Sequence, residues 1–355
     1  MLNCKNNFKT NSELCIITPE QLKRQFFLKS NYREMISCSR QVISDIIHRL
    51  DSRFLVICGP CSIHDVNSAI DYAKRLKQLS DELCGQLYIV MRVYLEKPRT
   101  SIGWKGIIND PYMDGSCNIE SGLKVARSLL LELIDIGVPL ATEALDPNIS
   151  QYLNDCFSWS AIGARTSESQ VHREMASGLC MPVGFKNSTN GSLEMAINAI
   201  HSVSIAHSFI GISQSGHVAL LRTTGNSNSH IILRGGKHPN YYPEDILYCE
   251  KMMFQAGLPA ALMIDCSHGN SNKEYNRQLD VAESVLSQIK SGNRSIFGLM
   301  LESHIYSGNQ SVTLPVNNMR YGVSVTDPCI DWDSTKKLLR HLCFQFKQFS
   351  SSRLL

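Results

Sequence analysis

The 355-residue chain has little of what marks a secreted, membrane or nucleic-acid-coating protein. Its first residues, Met1-Leu2-Asn3-Cys4-Lys5-Asn6-Asn7, contain no apolar signal core. No run of ~18 apolar residues occurs, so no membrane-spanning helix is expected. Charge of one sign is also lacking. The 35 Lys and Arg stand against 32 Asp and Glu, too even a balance for a protein that coats polynucleotides. The 13 cysteines are odd in number and follow no regular framework. They read as reduced, mostly buried thiols of a cytoplasmic protein, not as a disulfide scaffold. With 43% hydrophobic and 19% charged residues, what remains is a folded chain and not a disordered one.

The length allows two domains of average size, or one α/β barrel of about 250 residues with extensions. Residues 1–50 stand apart as an N-terminal arm and helical extension. Thr18-Pro19-Glu20 is a helix start, with a capping hydroxyl, a first-turn proline and an acid at the positive helix end. Val42, Ile43, Ile46, Ile47 and Leu50 recur at helical spacing. From residue 51 to 355 a different rhythm holds. Eight short apolar runs, at 54–58, 87–91, 139–142, 159–163, 182–185, 230–233, 261–265 and 296–301, alternate with amphipathic stretches. This is the pattern of repeated βα units. It predicts helices over 65–80, 119–136, 147–155, 168–178, 192–204, 243–256 and 275–290. Two β-prone runs around Ser213-Gln214-Ser215-Gly216 predict an inserted β-hairpin at about 207–222. The expected fold is a (β/α)8 TIM barrel with an N-terminal helical extension and an inserted β-hairpin.

The runs end, in order, near Cys61, Arg92, Glu143, Arg165, Lys186, Arg234, His268 and Glu302. In a parallel barrel all strand C-terminal ends share one face, which carries the chemistry. The cations Arg92, Lys97, Arg99, Lys105, Arg165, Lys186 and Arg234 lie on at least five elements. They could converge only on something anionic. Small phosphorylated acids fit better than nucleic acid, because no basic stripe interleaved with aromatics is present. Cys61, His268, Glu302 and Asp327 would meet where the first and eighth strands close the barrel. That mixed donor set suits Mn, Fe, Co or Zn without distinguishing them. A buried thiol, a satisfied histidine and two surface acids would account for the same residues. Gly235-Gly236-Lys237 is either a close approach to a ligand or a tight turn.

Several longer motifs carry a resemblance. They are Cys58-Gly59-Pro60-Cys61-Ser62-Ile63-His64-Asp65, Lys97-Pro98-Arg99-Thr100, Trp104-Lys105-Gly106, Gly163-Ala164-Arg165-Thr166, Gly184-Phe185-Lys186-Asn187, Leu233-Arg234-Gly235-Gly236-Lys237 and Asp265-Cys266-Ser267-His268-Gly269-Asn270. In this order they resemble the type I 3-deoxy-D-arabino-heptulosonate-7-phosphate (DAHP) synthases, from about Thr18 to Asp331. The resemblance implies condensation of phosphoenolpyruvate with erythrose 4-phosphate, the entry to the shikimate pathway. It implies one divalent metal ion per subunit, held by Cys61, His268, Glu302 and Asp327. Phosphoenolpyruvate would be bound by Arg92, Lys97, Gly163, Ala164, Arg165, Lys186 and Arg234. Arg99 and Thr100 would take the erythrose phosphate. Lys97, Cys61 and His268 would form the catalytic set.

Thr142-Glu143-Ala144-Leu145-Asp146-Pro147-Asn148 and Gly178 to Pro182, with the arm around Asn6-Asn7, look most like the tyrosine-regulated subgroup. The arm and hairpin are then regulatory and oligomer-forming elements of a homodimer or homotetramer. Lys186-Asn187-Ser188-Thr189-Asn190-Gly191 departs from the family's usual Lys-Asn-Gly-Thr-Asp-Gly. Ser188 stands there for a glycine that could need positive φ. The alternatives are an octulosonate phosphate synthase acting on a five-carbon aldose phosphate and a non-catalytic effector-binding homologue. Lys97-Pro98-Arg99-Thr100 argues against the first. The second would be expected to lack at least one of Cys61, His268, Glu302, Lys97 and Arg165, and all five are present.

Overall fold

The computed structural model describes residues 13–99, 102–312 and 318–348. The strands, in chain order, are β1 (Phe54–Gly59), β2 (Leu87–Arg92), β3 (Leu140–Glu143), β4 (Trp159–Ile162), β5 (Val183–Lys186), β6 (Ser208–Ile212), β7 (Val218–Arg222), β8 (Ser229–Leu233), β9 (Leu262–Asp265) and β10 (Ile296–Glu302). All eight predicted apolar runs become barrel strands. The barrel closes in the order β1-β10-β9-β8-β5-β4-β3-β2, with every pairing parallel. The remaining pair, β6 and β7, is the antiparallel hairpin, with Ile210 opposite Leu220 and Ile212 opposite Val218. The predicted (β/α)8 barrel with its hairpin is thus the observed architecture.

The helices are α1 (Pro19–Gln25), α2 (Ser30–Ile47), α3 (Val66–Leu83), α4 (Ile119–Ile136), α5 (Pro147–Leu153), α6 (Gln170–Ser177), α7 (Glu194–Val203), α8 (Pro243–Gln255), α9 (Gln278–Lys290) and α10 (Trp332–Phe346). Two differ from expectation. The second begins at Ser30, well before the periodic residues that start at Val42. The last lies beyond the predicted helices, although Asp331 caps it through Ser334 N (2.7 Å) and Leu338, Leu339, Leu342 and Phe346 recur at helical spacing. Its Phe346 ring packs 4.8 Å from Phe54.

Strand alternation explains two separate cores. On β1, Phe54, Val56 and Cys58 face the helices, and Leu55 and Ile57 face the barrel interior. The interior is filled by Leu55, Ile57, Val90, Trp159, Ile232, Met263 and Met300. Ile43, Ile46 and Ile47 of α2 join that inner cluster, so the N-terminal extension is packed against the barrel interior. Burying each of those isoleucines contributes roughly 1.5–3 kcal/mol.

Polar anchors fix the extension. Thr18 and Gln21 form a reciprocal capping box on α1. Fully buried Arg127 of α4 donates to Phe26 O (3.0 Å), Tyr152 O (2.9 Å) and both oxygens of Asp155 (2.8 Å each). Arg40 of α2 donates to Phe157 O (2.9 Å) and Asn154 O (2.8 Å). The hairpin turn joins the same assembly. Glu20 N donates to Gln214 O and Lys23 Nζ to Gln214 Oε1, each at 2.8 Å.

Candidate active site

Barrel closure builds the site. The β1–β10 register sets Gly59 beside Glu302, so Cys61, two residues past β1, lies next to that carboxylate. After β10 the chain leaves and returns. Ser303 bridges to Ile330 and Gly308 to Cys329, and this return loop brings Asp327 to the same point. Asp327 Oδ2 accepts from Cys61 Sγ at 3.3 Å, and Asp327 N donates to the same sulfur at 3.4 Å. Ligand atoms of Cys61, Glu302 and Asp327 lie within 4.8 Å of one another. His268 borders this group, its Nε2 3.8 Å from Glu302 Oε1. It sits at φ 57°, a left-handed conformation held by the tight turn after β9.

The orientation of His268 is set behind it. Its Nδ1 lies 3.0 Å from Asp265 Oδ2 and 2.7 Å from Ser267 Oγ. A carboxylate only accepts, so Nδ1 carries the proton and Nε2 keeps its lone pair facing Glu302. Thiol, imidazole lone pair and two carboxylates thus converge, a donor set that suits a divalent transition metal. Without a cation the thiol is a poor ligand, because burial and then Glu302 push its pKa up to about 12. A metal ion reverses that balance by stabilising the thiolate.

Cys58 and Cys61 have CxxC spacing but different surroundings. Cys58 points out of the barrel, 3.0 Å from Tyr72 Oη, whereas Cys61 faces Glu302 and Asp327. Both are free thiols.

A cavity of about 210 Å³ opens over this group at the C-terminal ends of the strands. It is lined by Arg92, Lys97, Arg99, Glu143, Gly163, Ala164, Arg165, Lys186, Arg234, His268, Glu302 and Asp327, among others. The predicted residues therefore share one cavity, with Cys61 buried beside it. Thr100 lies outside the described residues. Lys105 is exposed and is absent from the lining.

The cations divide into two groups. Arg92, 1% exposed, pairs with Glu302 at 3.0 Å and stacks 3.5 Å from the Tyr94 ring centroid. Lys186 pairs with Asp265 at 2.8 Å. Burial alone would raise the Asp265 pKa, but His268 and Lys186 hold it well below the usual range. Lys97 is buried, with Nζ 3.1 Å from Cys61 Sγ and 4.0 Å from Asp327 Oδ2. Against the effect of burial, Lys97 above all, together with the Cys61 contact, holds Asp327 down at about 2. Arg165 and Arg234 form no ion pair among the described residues. Burial lowers the pKa of Arg234, Asp265 raises it and Arg165 lowers it again. The cavity thus carries uncompensated positive charge.

Three residues of the site go beyond the sequence reading. Asp265 is overshadowed there by His268, although an acid closing a wholly apolar strand is an available signal. Tyr94 supports Arg92 from two positions along. Glu143 stands in the sequence as a strand end and within the Thr142–Asn148 motif, not as a residue of the site. It is 9% exposed and its Oε1 has no hydrogen-bond partner.

Two turn questions are resolved. A Cβ on Gly235 (φ 71°) would lie 2.5 Å from Gly269 C, and one on Gly236 would lie 2.4 Å from Gly191 N. The Gly-Gly pair therefore serves backbone packing between the loops after β5, β8 and β9. Ser188 is not among the residues with positive φ. Its hydroxyl bonds Asn190 Oδ1, which also accepts from Ser192 N (2.9 Å), so this loop closes without the glycine.

Residues 21–340 match the model of the DAHP synthetase I family. The chain is 62% identical over 337 residues to the Tyr-sensitive phospho-2-dehydro-3-deoxyheptonate aldolases of Escherichia coli K12 and Salmonella typhimurium, covering 95% of each chain. It is 49% identical to the Phe-sensitive enzyme of Escherichia coli K12, over 92% of this chain and 93% of that one. A solved phospho-2-dehydro-3-deoxyheptonate aldolase from Francisella tularensis SCHU S4 superposes with a TM-score of 0.92 at 44% identity, covering 95% of this chain and 98% of that one. A cluster of thiol and carboxylate groups at the seam of a closed barrel, a cation-lined cavity above it and these matches lead to one conclusion: the chain belongs to the DAHP synthetase I family.

Proposed function

We propose that the chain condenses phosphoenolpyruvate with erythrose 4-phosphate and water to give DAHP and inorganic phosphate. The observation that carries this reading is the sharing of one cavity by the Cys61, Glu302 and Asp327 group and the unpaired Arg165 and Arg234. Two phosphates and a carboxylate repel one another, and cations fixed before binding offset that repulsion.

Arg165, Arg234 and Lys186 bind the phosphate and carboxylate of phosphoenolpyruvate. Arg99 and Thr100 take the phosphate of the aldose. C3 of phosphoenolpyruvate attacks the aldehyde carbon, forming the new C–C bond, and Lys97 gives its proton to the aldehyde oxygen. Water adds at C2, with Glu143 taking a proton through its free Oε1. Phosphate then leaves as the C2–O bond breaks. Cys61, His268, Glu302 and Asp327 would hold the divalent ion, which supplies Lewis acidity toward an oxygen in this cavity.

The test is phosphate release from the two substrates, with chelator and then Mn2+. Release that needs both substrates and returns with metal is expected. No release under any condition overturns the reading. Preference for a five-carbon over a four-carbon aldose phosphate would favour the octulosonate alternative.

We further infer inhibition by tyrosine, in line with the Tyr-sensitive relatives. A second cavity of about 310 Å³ between the hairpin and α5–α6 supports it, with Phe209, Leu179 and Leu221 as apolar lining and Gln151 and Arg222 as polar lining. The predicted N-terminal arm lies outside the described residues, and its regulatory part, like that of residues 1–50 as a unit, belongs to this proposal. A homodimer or homotetramer is proposed from the outward hairpin face, where Ile210, Val218 and Leu220 are 80%, 79% and 60% exposed. Light scattering on the purified chain tests it, and a monomer at micromolar concentration would exclude it. No helix among the described residues is long and apolar enough to cross a membrane. A cytoplasmic location is proposed with that in mind.

A further inference from the structure

Asp265 has an unusual position in the site. It ends β9 and is fully buried, and four donors meet its carboxylate. Ser267 N (3.0 Å) and Ser267 Oγ (2.7 Å) approach Oδ1. Lys186 Nζ (2.8 Å) and His268 Nδ1 (3.0 Å) approach Oδ2. One oxygen atom is therefore shared by the imidazole that faces the metal group and by a cation that lines the substrate cavity. The main chain is fixed as well, because Asn270 Nδ2 donates to Asp265 O at 2.9 Å. The acid cannot turn toward one partner without leaving the other.

We propose that Asp265 is a positioning residue that serves the two halves of the site with opposite sign. Toward His268 it fixes the tautomer and ring orientation that present Nε2, and so strengthens metal binding. Toward Lys186 it supplies a compensating negative charge, and so restrains anion binding. The cavity's charge excess then rests on lining cations without such a partner among the described residues, Arg165 and Arg234 among them. A substrate carrying several negative charges is held without being trapped, while the metal is retained. The inference rests on the proposed roles of His268 as a metal ligand and Lys186 as a phosphoenolpyruvate ligand.

A residue with only a structural part would, on replacement, weaken both ligands together or lower the fraction of binding-competent protein. Opposite signs separate the two cases. The experiment uses the full chain stripped of metal. Mn2+ is titrated with free ion read by electron paramagnetic resonance, and phosphoenolpyruvate is titrated calorimetrically without metal.

For Asp265→Asn, Mn2+ affinity is expected to fall about 10- to 100-fold, while phosphoenolpyruvate binds more tightly than to the unaltered chain. A parallel loss of both affinities, or no change in either, overturns the inference. Should the Asp265→Asn variant not fold, Ser267→Ala provides the second arm. It leaves the carboxylate and removes the hydroxyl at Nδ1. Mn2+ affinity should drop about two- to tenfold with phosphoenolpyruvate affinity unchanged, and unaltered Mn2+ binding would refute the idea. If the unaltered chain binds neither Mn2+ nor phosphoenolpyruvate, the proposed function fails first. If it binds both and the variants match it, only the role of Asp265 falls.

Discussion

Lys97 Nζ lies 3.1 Å from Cys61 Sγ, so a buried ammonium group and a buried thiol share one end of the cavity. Burial acts against the charge on Lys97, but Cys61, Asp327 and Glu302 outweigh it and raise the pKa of the amine. The lysine therefore stays protonated and can give up its proton only as negative charge grows nearby. Lys97→Ala should cut turnover by about 10²–10⁴-fold while Mn2+ still binds. Near-normal phosphate release from that variant would remove Lys97 from the proton-transfer role.

Metal removal gives the second expectation. Chelation should abolish phosphate release, and Mn2+ should restore it in the unaltered chain. Cys61→Ser should not be restored at the same metal concentration, because a hydroxyl replaces the thiol and does not ionise as a ligand near neutral pH. Full recovery of this variant would show that the sulfur is dispensable.

Glu96 predicts a pH effect on stability. Burial first, then Asp146 and Glu143, push its pKa up to about 8. The unfolded-state value is about 4.3. Between these values the native state binds more protons than the unfolded state, so this group lowers stability as pH rises through the window. Glu96→Gln should match the unaltered chain in unfolding midpoint near pH 4.5 and exceed it increasingly toward pH 8.5. A gap that is constant or reversed with pH would contradict the assignment.

The Arg127–Asp155 pair makes a claim about the N-terminal extension. Asp155→Asn leaves a guanidinium group, 1% exposed, with only neutral acceptors. The cost should be about 3 kcal/mol in urea unfolding. A loss below about 0.5 kcal/mol would mean that the carbonyls of Phe26 and Tyr152 satisfy the arginine alone.

Regulation is tested at Phe209, on the wall of the second cavity. Tyrosine should inhibit phosphate release more strongly than phenylalanine or tryptophan. Phe209→Ala should raise the tyrosine concentration for half-inhibition by about tenfold or more, as expected for losing a buried aromatic contact. Flat titrations with all three amino acids would refute the regulatory proposal.

The barrel is legible in the sequence because its signals are local. Runs such as Leu87–Arg92 and Ile296–Glu302 are apolar along their whole length and end in charge, as strands buried on both faces do. Arg165, Lys186 and Arg234 can be grouped before any coordinates, because parallel strands bring all their C-terminal ends to one face. The role of Asp265 is not legible, since its meaning lies in Lys186, 79 positions away. The Gly235–Gly236 turn is ambiguous for the same reason. What forbids a side chain there is the backbone of Gly269 and Gly191, which no spacing rule reveals. The α10 helix is readable from Leu338, Leu339 and Leu342, but it completes the last βα unit only beyond the long return loop that carries Asp327, where the short strand-to-helix spacing of the other units no longer holds.

The seam between β1 and β10 also has a consequence in time. Cys61 and Asp327 are 266 positions apart and meet only when the return loop is laced to the closed barrel. During synthesis Cys61 emerges long before its partners. A growing or truncated chain therefore holds a lone thiol where the finished one sets Glu302 and Asp327 around it, so the Cys61–Asp327 contact reports that the barrel has closed and the return loop has been laid down.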